Sequence, residues 1–410
     1  MTSVSLTVIV PVRVTSARRE ILDRVALCTD DPDLPDTVRF LFVDDGSAPE
    51  AAADLKTAVP LGCELIHTGV DPASSFCLPR ARNLGAQNAV TEFIMFMDVD
   101  LVPTPGFYAE LLQEIELVGM AECVTEFLMV PVIYLSETGA SDFFSAEART
   151  RRRAMVNALL RADAERIIKY SSGTSAIVVD RLYYLARGGQ DEGFRGWGYE
   201  DYEFAARLIR RNGRFPMPEN WLLDRGNFMT INRFEGWKSV YRLYGEWLAS
   251  KGLYLFHLPH GDAGRDHFQE ARNRERLVQR MAADLSGEPE PPPLSDPQGW
   301  RCLDFAPCSH FACREIRPLL GSVISTRQTD WTTEDSFKDT LRELGIDRVL
   351  FEGPVVDAAQ RRLLKWTQRS DARPLIARPG VLPGSVYFTE RDSPFPDIAA
   401  PDDAPLPAEI

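Results

Sequence analysis

Long hydrophobic runs are missing from this sequence of 410 residues. The longest predominantly apolar stretches, such as Leu6–Val12 and Phe93–Met97, are far shorter than the roughly 18 residues that span a bilayer. The first residues also lack the basic start and the long apolar core of a secretory signal, and they run directly into strand-like sequence. We therefore expect no transmembrane segment and a cytoplasmic protein, and peripheral assembly at the inner face of a membrane stays compatible with the sequence.

Positive charge is also in short supply. The chain has 46 Lys and Arg residues against 60 Asp and Glu residues, which gives a formal charge of −14. Because nucleic acids and anionic membranes favour basic surfaces, this balance argues against nucleic acid as a partner. An anionic small ligand needs a local group of cationic side chains instead. The hydrophobic fraction of 44% and the charged fraction of 26% are those of a folded globular protein, which excludes a disordered or fibrous chain.

Paired cysteines and glycine-rich phosphate loops are absent. The seven cysteines include no C-x-x-C pair, which is typical of reduced thiols rather than of a disulfide framework. Cys302, Cys308, His310 and Cys313 have the side chains of zinc ligands, but their spacing matches no usual zinc motif. No G-x-G-x-x-G follows the first strand-like run, and no G-x-x-x-x-G-K-[ST] occurs. The sequence thus argues against both an NAD-type Rossmann domain and a P-loop.

What the first hundred residues do contain is an alternation of apolar, β-branched runs with helix-like segments. The spacing between the runs is long enough for crossover helices, which indicates βαβ units on a parallel sheet. We predict an α/β fold with a nucleotide-binding half. The predicted strands are Leu6–Val12, Val38–Val43, Cys63–His67 and Phe93–Met97.

Further along, the composition predicts a long helix over Asp142–Ile168, a strand at Ala176–Val179, a helix over Tyr199–Arg211 and a closing helix over Gly264–Leu285. This first domain covers residues 1–287. A proline-rich stretch at residues 288–299 cannot hold a helix and marks a linker.

A second, smaller α/β domain is predicted for residues 300–393, followed by a disordered tail at 394–410 that is rich in Pro, Ala and Asp. Its predicted strands and helices are Arg348–Phe351, Pro374–Ala377, Ser336–Leu344 and Asp357–Gln368.

Polar residues follow the ends of the first two predicted strands. Pro11 and Arg13 close the first, and the turn-forming sequence Asp44-Asp45-Gly46-Ser47 closes the second. Ligands of parallel α/β sheets bind at the carboxyl ends of the strands. Two carboxylates there can accept hydrogen bonds from a nucleoside, although the same tetrapeptide also serves as an ordinary turn.

A second acidic pair, Asp98 and Asp100, follows the strand Phe93–Met97. A bend at the strand end lets one carboxylate bind a divalent cation directly while the other acts through water or a ribose, and the cation then holds a pyrophosphate. Arg82, in the stretch between the two acidic pairs, supplies a cation close by in sequence, with an ordinary surface ion pair as the alternative.

The stretch Phe194–Asp201 combines a tryptophan between two glycines with an acidic pair. Trp197 can present its indole as a stacking plate for a sugar ring, and Gly198 allows close backbone approach. Glu200 and Asp201 then lie at a helix N-terminus, where the dipole favours carboxylates, either as bases or simply as helix caps. Two of the five histidines, His257 and His260, could supply an imidazole to the cation.

In this order and spacing, the motifs closely resemble those of GT-A glycosyltransferases of the family 2 type. The W-G-x-E-D segment is similar to that of chondroitin-polymerase-type and β-1,4-galactosyltransferase-type enzymes. The resemblance spans about residues 4–285 and rests on Val10-Pro11, Asp44–Ser47, Ala81–Gly85, Asp98–Asp100 and Gly196–Asp201.

This resemblance implies a nucleotide-sugar donor, usually a UDP-sugar, held through Mn²⁺ or Mg²⁺ at the Asp98–Asp100 pair. It implies donor binding by Pro11, Arg13, Asp44, Asp45, Arg82 and Asp98. It also implies a saccharide acceptor at Trp197 and Gly198, with Asp201 as the base and Glu200 contacting sugar hydroxyls. A late histidine completes the metal site. Because Gly261 rather than proline follows His260, the choice between His257 and His260 stays open.

The second domain carries one further resemblance. Its stretch Ile376–Phe388 is similar to a segment of large bacterial capsule-polysaccharide enzymes, which implies a role in capsular or surface polysaccharide synthesis. Two alternatives remain for the whole chain: a non-catalytic carbohydrate-binding or scaffold protein, and a sugar nucleotidyltransferase. A binding or scaffold protein has no need of both the Asp98–Asp100 pair and the Glu200–Asp201 pair. A nucleotidyltransferase needs a glycine-rich basic loop after the first strand, where Val10–Val14 contains no glycine.

Overall fold

The structure is a computed structural model. It describes residues 4–121, 123, 125–224, 232–261, 267–287, 291, 292, 294, 300–304, 320–325, 331–343, 346–352, 355, 358–379 and 386–389. The chain divides into two compact units, one formed by Met1–Tyr184 with Gly188–Pro291 and the other by Leu185–Arg187 with Pro292–Ile410. The division at Pro291 and Pro292 lies within the stretch predicted as a linker.

Two sheets and their flanking helices make up the described part of the chain as far as Leu285. In chain order the elements are β1 (Leu6–Val12), α1 (Ile21–Leu27), β2 (Val38–Asp44), α2 (Pro49–Ala58), β3 (Glu64–His67), α3 (Leu78–Asn88), β4 (Phe93–Phe96), β5 (Leu101–Val102), α4 (Phe107–Leu117), β6 (Phe127–Met129), β7 (Val132–Leu135), α5 (Glu137–Ser145), α6 (Ala148–Leu160), β8 (Ile167–Ser171), β9 (Ile177–Asp180), α7 (Arg181–Ala186), α8 (Glu200–Asn212), α9 (Trp237–Ser250), β10 (Leu255–His257) and α10 (His267–Leu285).

The larger sheet has the strand order β3-β2-β1-β4-β9-β6. Strands β3, β2, β1 and β4 are parallel, and β9 runs antiparallel to both β4 and β6. Every residue of β1 and β4 is buried, as expected of central strands covered on both faces. The α/β fold with a parallel sheet is therefore confirmed, and the carboxyl ends of β1, β2 and β4 meet at one edge.

Helix α3 packs unusually close to this sheet. A Cβ atom at Gly85 would lie 2.4 Å from Cγ2 of Ile9, so only glycine fits there. This close approach brings Arg82, one turn earlier on α3, next to the carboxyl edge of β4. The sequence Ala81–Gly85 thus combines a packing requirement with a site residue.

The smaller sheet, of order β5-β10-β7-β8, brings distant parts of the chain to the same edge. Strand β10 pairs antiparallel with β5, with His257 opposite Leu101. Because Leu101 directly follows Asp100, this register places the late histidines beside the acidic pair.

The predicted long helix over Asp142–Ile168 is wrong. Helix α5 ends at Ser145 and α6 begins at Ala148, because the backbone is extended at Ala146. Its last two residues, Ile167 and Ile168, belong to β8, which pairs antiparallel with β7. The closing helix starts at His267 in the described structure, and residues 264–266 of its predicted range lie outside the described residues.

The second unit contains a sheet of order β12-β11-β13-β14-β15, in which β15 is antiparallel to β14. Its elements are β11 (Trp300–Asp304), β12 (Leu320–Ser325), α11 (Glu334–Glu343), β13 (Arg348–Glu352), α12 (Ala358–Thr367), β14 (Arg373–Pro379) and β15 (Val386–Thr389). Phe337, Val349, Leu363 and Ile376 lie in its core. The predicted tail, most of the predicted linker, Cys308, His310 and Cys313 lie outside the described residues. In the described part of the chain, every helix is too short or too polar to cross a membrane.

Candidate active site

One carboxylate and two imidazoles converge beside the carboxyl edge of the large sheet. Ligand atoms of Asp100, His257 and His260 all lie within 4.8 Å of one another. Asp100 follows β4, His257 ends β10, and His260 lies three residues further on. The structure therefore brings together both histidines between which the sequence could not choose. Asp98, which was predicted as a metal ligand as well, is not part of this group.

Two arginines already hold the Asp100 carboxylate. Arg18 Nη2 donates to both carboxylate oxygens, at 2.9 and 3.0 Å, and Arg24 Nη1 donates to Oδ1. Burial raises the pKa of Asp100, but the charges of Arg18 and Arg24 outweigh that effect, so the pKa lies below its ordinary value. Asp100 is thus ionised throughout the neutral range.

His257 lies against the ring of Tyr134, with 4.6 Å between the ring centroids and 29° between the planes. Burial lowers the pKa of His257 to about 4. A neutral imidazole has a free lone pair, which is the form that binds a metal ion. His260 is more exposed, and its Nε2 lies 3.4 Å from Asp100 Oδ2.

Asp98 is connected to the acidic pair of α8 through one buried guanidinium. Arg82 Nη2 donates to Asp98 Oδ1 at 3.0 Å, and Arg82 Nη1 lies 3.3 Å from Glu200 Oε1. The other Asp98 oxygen accepts a hydrogen bond from Ser175 at 3.0 Å. The Arg82 side chain is completely buried, whereas the Asp98 side chain is 37% exposed. Asp98 therefore remains accessible to a ligand.

Glu200 and Asp201 occupy the first turn of α8. Burial raises the pKa of Glu200, and the neighbouring Asp201 charge raises it further. Burial also raises the pKa of Asp201, against the lowering effect of Arg82. Carboxylates with raised pKa values are stronger proton acceptors than ordinary ones, so the arrangement suits general base chemistry.

The loop before α8 presents the predicted stacking residue. Trp197 is 53% exposed. Gly198 has φ +93°, and Tyr199, a residue that rarely adopts positive φ, has φ +76°. Asn273 on α10 fixes this loop, because its Nδ2 donates to the backbone oxygens of Arg195, Trp197 and Gly198 at 2.8, 3.3 and 3.0 Å.

The predicted donor-binding acids of β2 have different surroundings. Asp44 accepts hydrogen bonds from Ser47 Oγ at 2.6 Å and pairs with His67 Nδ1 at 2.9 Å. Asp45 is completely buried, and Arg80 donates to its two oxygens at 2.7 and 2.8 Å. Asp45 thus fastens the start of α3 to the end of β2.

The two predicted residues of β1 also lie at this edge. Pro11 is buried and lies opposite Val43 in the β1–β2 pairing. The Arg13 guanidinium donates to the carbonyl of Ser74 at 2.6 Å and to that of Pro72, which holds the loop after β3.

Sequence reasoning missed several residues of the site. Arg18, Arg24, Ser175 and Asn273 each contact a predicted site residue, but each is far from its partner in sequence and belongs to no motif. His67 also belongs to no motif, yet it pairs with Asp44. No short spacing signal could have found these residues.

The sheet, with four parallel strands and antiparallel β9 and flanking helices, has an α/β fold of the GT-A type. The model of the family described as glycosyltransferase like family 2 matches residues 7–283. The chain belongs to this family and is a glycosyltransferase. No curated protein matches its sequence.

Solved structures that match this chain include two of glucosyl-3-phosphoglycerate synthase from Mycobacterium tuberculosis. The complex with Mn²⁺, UDP-glucose and phosphoglyceric acid has 11% identity and a TM-score of 0.36, over 70% of this chain and 81% of that chain. The complex with Mg²⁺ and UDP has 12% identity and a TM-score of 0.33, over 70% of this chain and 80% of that chain.

Proposed function

We propose that this glycosyltransferase moves a sugar from a nucleotide-sugar donor, a UDP-sugar, to a saccharide acceptor, with a divalent metal ion and with inversion at the anomeric carbon. The observation that carries the proposal is the grouping of Asp100, His257 and His260 at the carboxyl edge of the sheet. The Asp98–Arg82–Glu200 connection supports it, because it ties this edge to the acids of α8.

The grouped side chains fit Mn²⁺ or Mg²⁺ at this position. Asp100 offers a hard carboxylate oxygen, and His257 is kept neutral by its burial. Because Mg²⁺ prefers oxygen ligands, a set with imidazole nitrogen favours Mn²⁺. When bound, such an ion neutralises negative charge that develops on the leaving diphosphate.

Asp201 acts as the general base in this proposal. It takes the proton of an acceptor hydroxyl as that oxygen forms a bond to the anomeric carbon. The bond between this carbon and the diphosphate oxygen breaks at the same time, and its electron pair leaves with the diphosphate. Because attack comes from the side opposite the leaving group, the configuration inverts. Arg82 holds the adjacent Glu200 in place to contact sugar hydroxyls.

The remaining predicted residues bind and orient the two substrates. Asp98 is exposed enough to contact the donor directly, whereas buried Asp45 positions other groups through Arg80. Trp197 is 53% exposed, and an exposed indole suits stacking with the acceptor ring. Gly198 leaves room for the acceptor beside the backbone.

A donor panel tests this function. The full chain is incubated with UDP-, GDP- and CMP-sugars, with Mn²⁺ or with excess chelator, and nucleotide release is measured. We expect UDP release from one UDP-sugar that depends on the metal ion. In a parallel incubation with a nucleoside triphosphate and a sugar phosphate, formation of pyrophosphate would instead identify a nucleotidyltransferase. Absence of any turnover with retained saccharide binding would favour a binding protein.

The second unit, in our proposal, serves acceptor handling in bacterial surface or capsular polysaccharide synthesis. The resemblance of the stretch Ile376–Phe388 to capsule enzymes supports this role. A chain ending at Leu285 should still hydrolyse the donor but lose transfer to a long acceptor. Loss of folding on truncation would show that the second unit belongs to the core.

A further inference from the structure

Two guanidinium groups balance the charge of the Asp100 carboxylate. Arg18 contacts both of its oxygens, and Arg24 contacts Oδ1. The side chains of Arg18 and Arg24 are only 20% and 11% exposed. A cation that binds Asp100 must therefore share the carboxylate with these guanidiniums or displace them.

Both arginines come from the segment that follows β1, at the edge where ligands of such sheets bind. Arg18 lies in the loop after β1, and its Nε donates to Glu20. Arg24 lies on α1, and its Nη2 donates at 2.6 Å to the carbonyl of Pro259, the residue before His260. Both guanidiniums thus lie beside the grouped metal ligands.

A largely buried guanidinium that loses its carboxylate partner needs another anion, because an unpaired buried charge is unfavourable. The diphosphate of a nucleotide sugar supplies one, since guanidinium groups match phosphate oxygens with paired hydrogen bonds. In a chain of formal charge −14, this is a local concentration of positive charge of the kind that an anionic donor needs.

We propose that Arg18 and Arg24 exchange partners when the donor binds: they hold Asp100 in the empty enzyme, and they bind diphosphate oxygens once Asp100 turns to a divalent ion. This inference rests on the proposed function of Asp100 as a metal ligand. It predicts that the metal ion and the diphosphate bind cooperatively. The ion draws Asp100 away from the arginines, and the diphosphate draws the arginines away from Asp100.

Pyrophosphate is the probe for the first measurement, because it carries only the shared diphosphate chemistry. We expect calorimetry with the full chain and saturating Mn²⁺ to show that Arg18→Gln weakens pyrophosphate binding by about tenfold or more. Arg19→Gln is the matched control. Arg19 comes from the same segment, but it is 55% exposed and pairs with Asp54, so its loss should leave pyrophosphate binding unchanged.

The second measurement follows free Mn²⁺ by electron paramagnetic resonance without pyrophosphate. Arg18→Gln should tighten Mn²⁺ binding several-fold, because the ion no longer competes with a guanidinium. A purely structural role of Arg18 would weaken both ligands together. Unchanged pyrophosphate binding, or Mn²⁺ binding that is unchanged or weaker, overturns the proposal.

Arg18→Lys separates charge from hydrogen-bond geometry, and it serves as the test if circular dichroism shows that Arg18→Gln is unfolded. The lysine keeps the charge but not the paired contact, so we expect pyrophosphate binding between that of wild type and Arg18→Gln. Binding equal to that of wild type would contradict the paired contact. Neither measurement involves a sugar or a nucleobase. If the donor panel failed while Arg18→Gln still tightened Mn²⁺ binding and weakened pyrophosphate binding, only the proposed function would be overturned.

Discussion

Arg82 Nη1 lies 3.3 Å from Glu200 Oε1, and the guanidinium is completely buried. The same group donates to Asp98, so it joins the acid after β4 to the acids of α8. A single cation thus stands between the proposed donor side and the proposed acceptor side of the site. Its loss leaves Glu200 buried without its charge partner.

The first prediction concerns the stability that Arg82 provides. Arg82→Met should lower the free energy of unfolding by about 3 kcal/mol, because removal of one partner of a buried pair leaves the other unpaired. Urea unfolding measures this change. Arg152→Met, which breaks the half-exposed pair with Glu110, should cost less than about 1 kcal/mol. Equal costs for the two variants would contradict the role of Arg82.

A second prediction follows from the raised pKa of Asp201. Its carboxyl group holds a proton more tightly in the folded chain than in the unfolded chain, where the pKa is near the ordinary 3.8. Stability is therefore lost as pH rises from 3.8 through the raised pKa. Asp201→Asn should stabilise the protein at pH 7.5 by on the order of 1 kcal/mol, and the gain should shrink as pH falls.

Urea unfolding over a pH series checks this behaviour. Asp54→Asn is the control, because Asp54 is an exposed carboxylate paired with Arg19, and its loss should change stability little. A stabilisation by Asp201→Asn that does not depend on pH would show that charge burial is not its cause.

The third prediction concerns catalysis by the two acids of α8. Asp201→Asn should lower kcat by about 10²–10⁴-fold and leave donor binding nearly intact, as expected for loss of a general base. Glu200→Gln should raise the KM of a substrate as well as lower the rate. Initial rates with separate variation of donor and acceptor distinguish these effects. An Asp201→Asn enzyme within about tenfold of wild type would remove Asp201 from the base role.

The fourth prediction concerns the hold of Asn273 on the tryptophan loop. Asn273→Ala removes three hydrogen bonds to the backbone around Trp197. We expect transfer to a saccharide to fall about tenfold relative to hydrolysis of the donor by water, since the loop serves the acceptor. Asn88→Ala, which removes one exposed amide contact to Leu84, should leave that ratio unchanged. A parallel fall of both reactions after Asn273→Ala would indicate a general loss of structure.

The sequence predicts the sheet well and one helix badly, for a physical reason. β1 and β4 are short apolar runs enclosed on both faces, so composition alone identifies them. The stretch Asp142–Ile168 contains no Gly or Pro, so local propensity extends the helix through it. The pairing of β8 with β7, which ends the helical region, is a tertiary contact that propensity does not contain.

For the site, the sequence could find the acids but not their partners. Strand-end positions mark Asp98 and Asp100, since ligands bind where parallel strands end. The partners Arg18 and Arg24 lie 82 and 76 positions away from Asp100, and Arg82 and Glu200 are separated by 118. Only the three-dimensional fold shows that Asp45 is enclosed and that both His257 and His260 approach Asp100.

The stereochemistry of donor cleavage tests the central claim most directly, since that claim is in-line attack with Asp201 as the base. An active α-linked UDP-sugar is hydrolysed by the full chain with Mn²⁺, and proton NMR identifies the first anomer released before mutarotation. The account predicts the β-anomer from wild type and a rate about 10²–10⁴-fold lower from Asp201→Asn. Release of the α-anomer would contradict it.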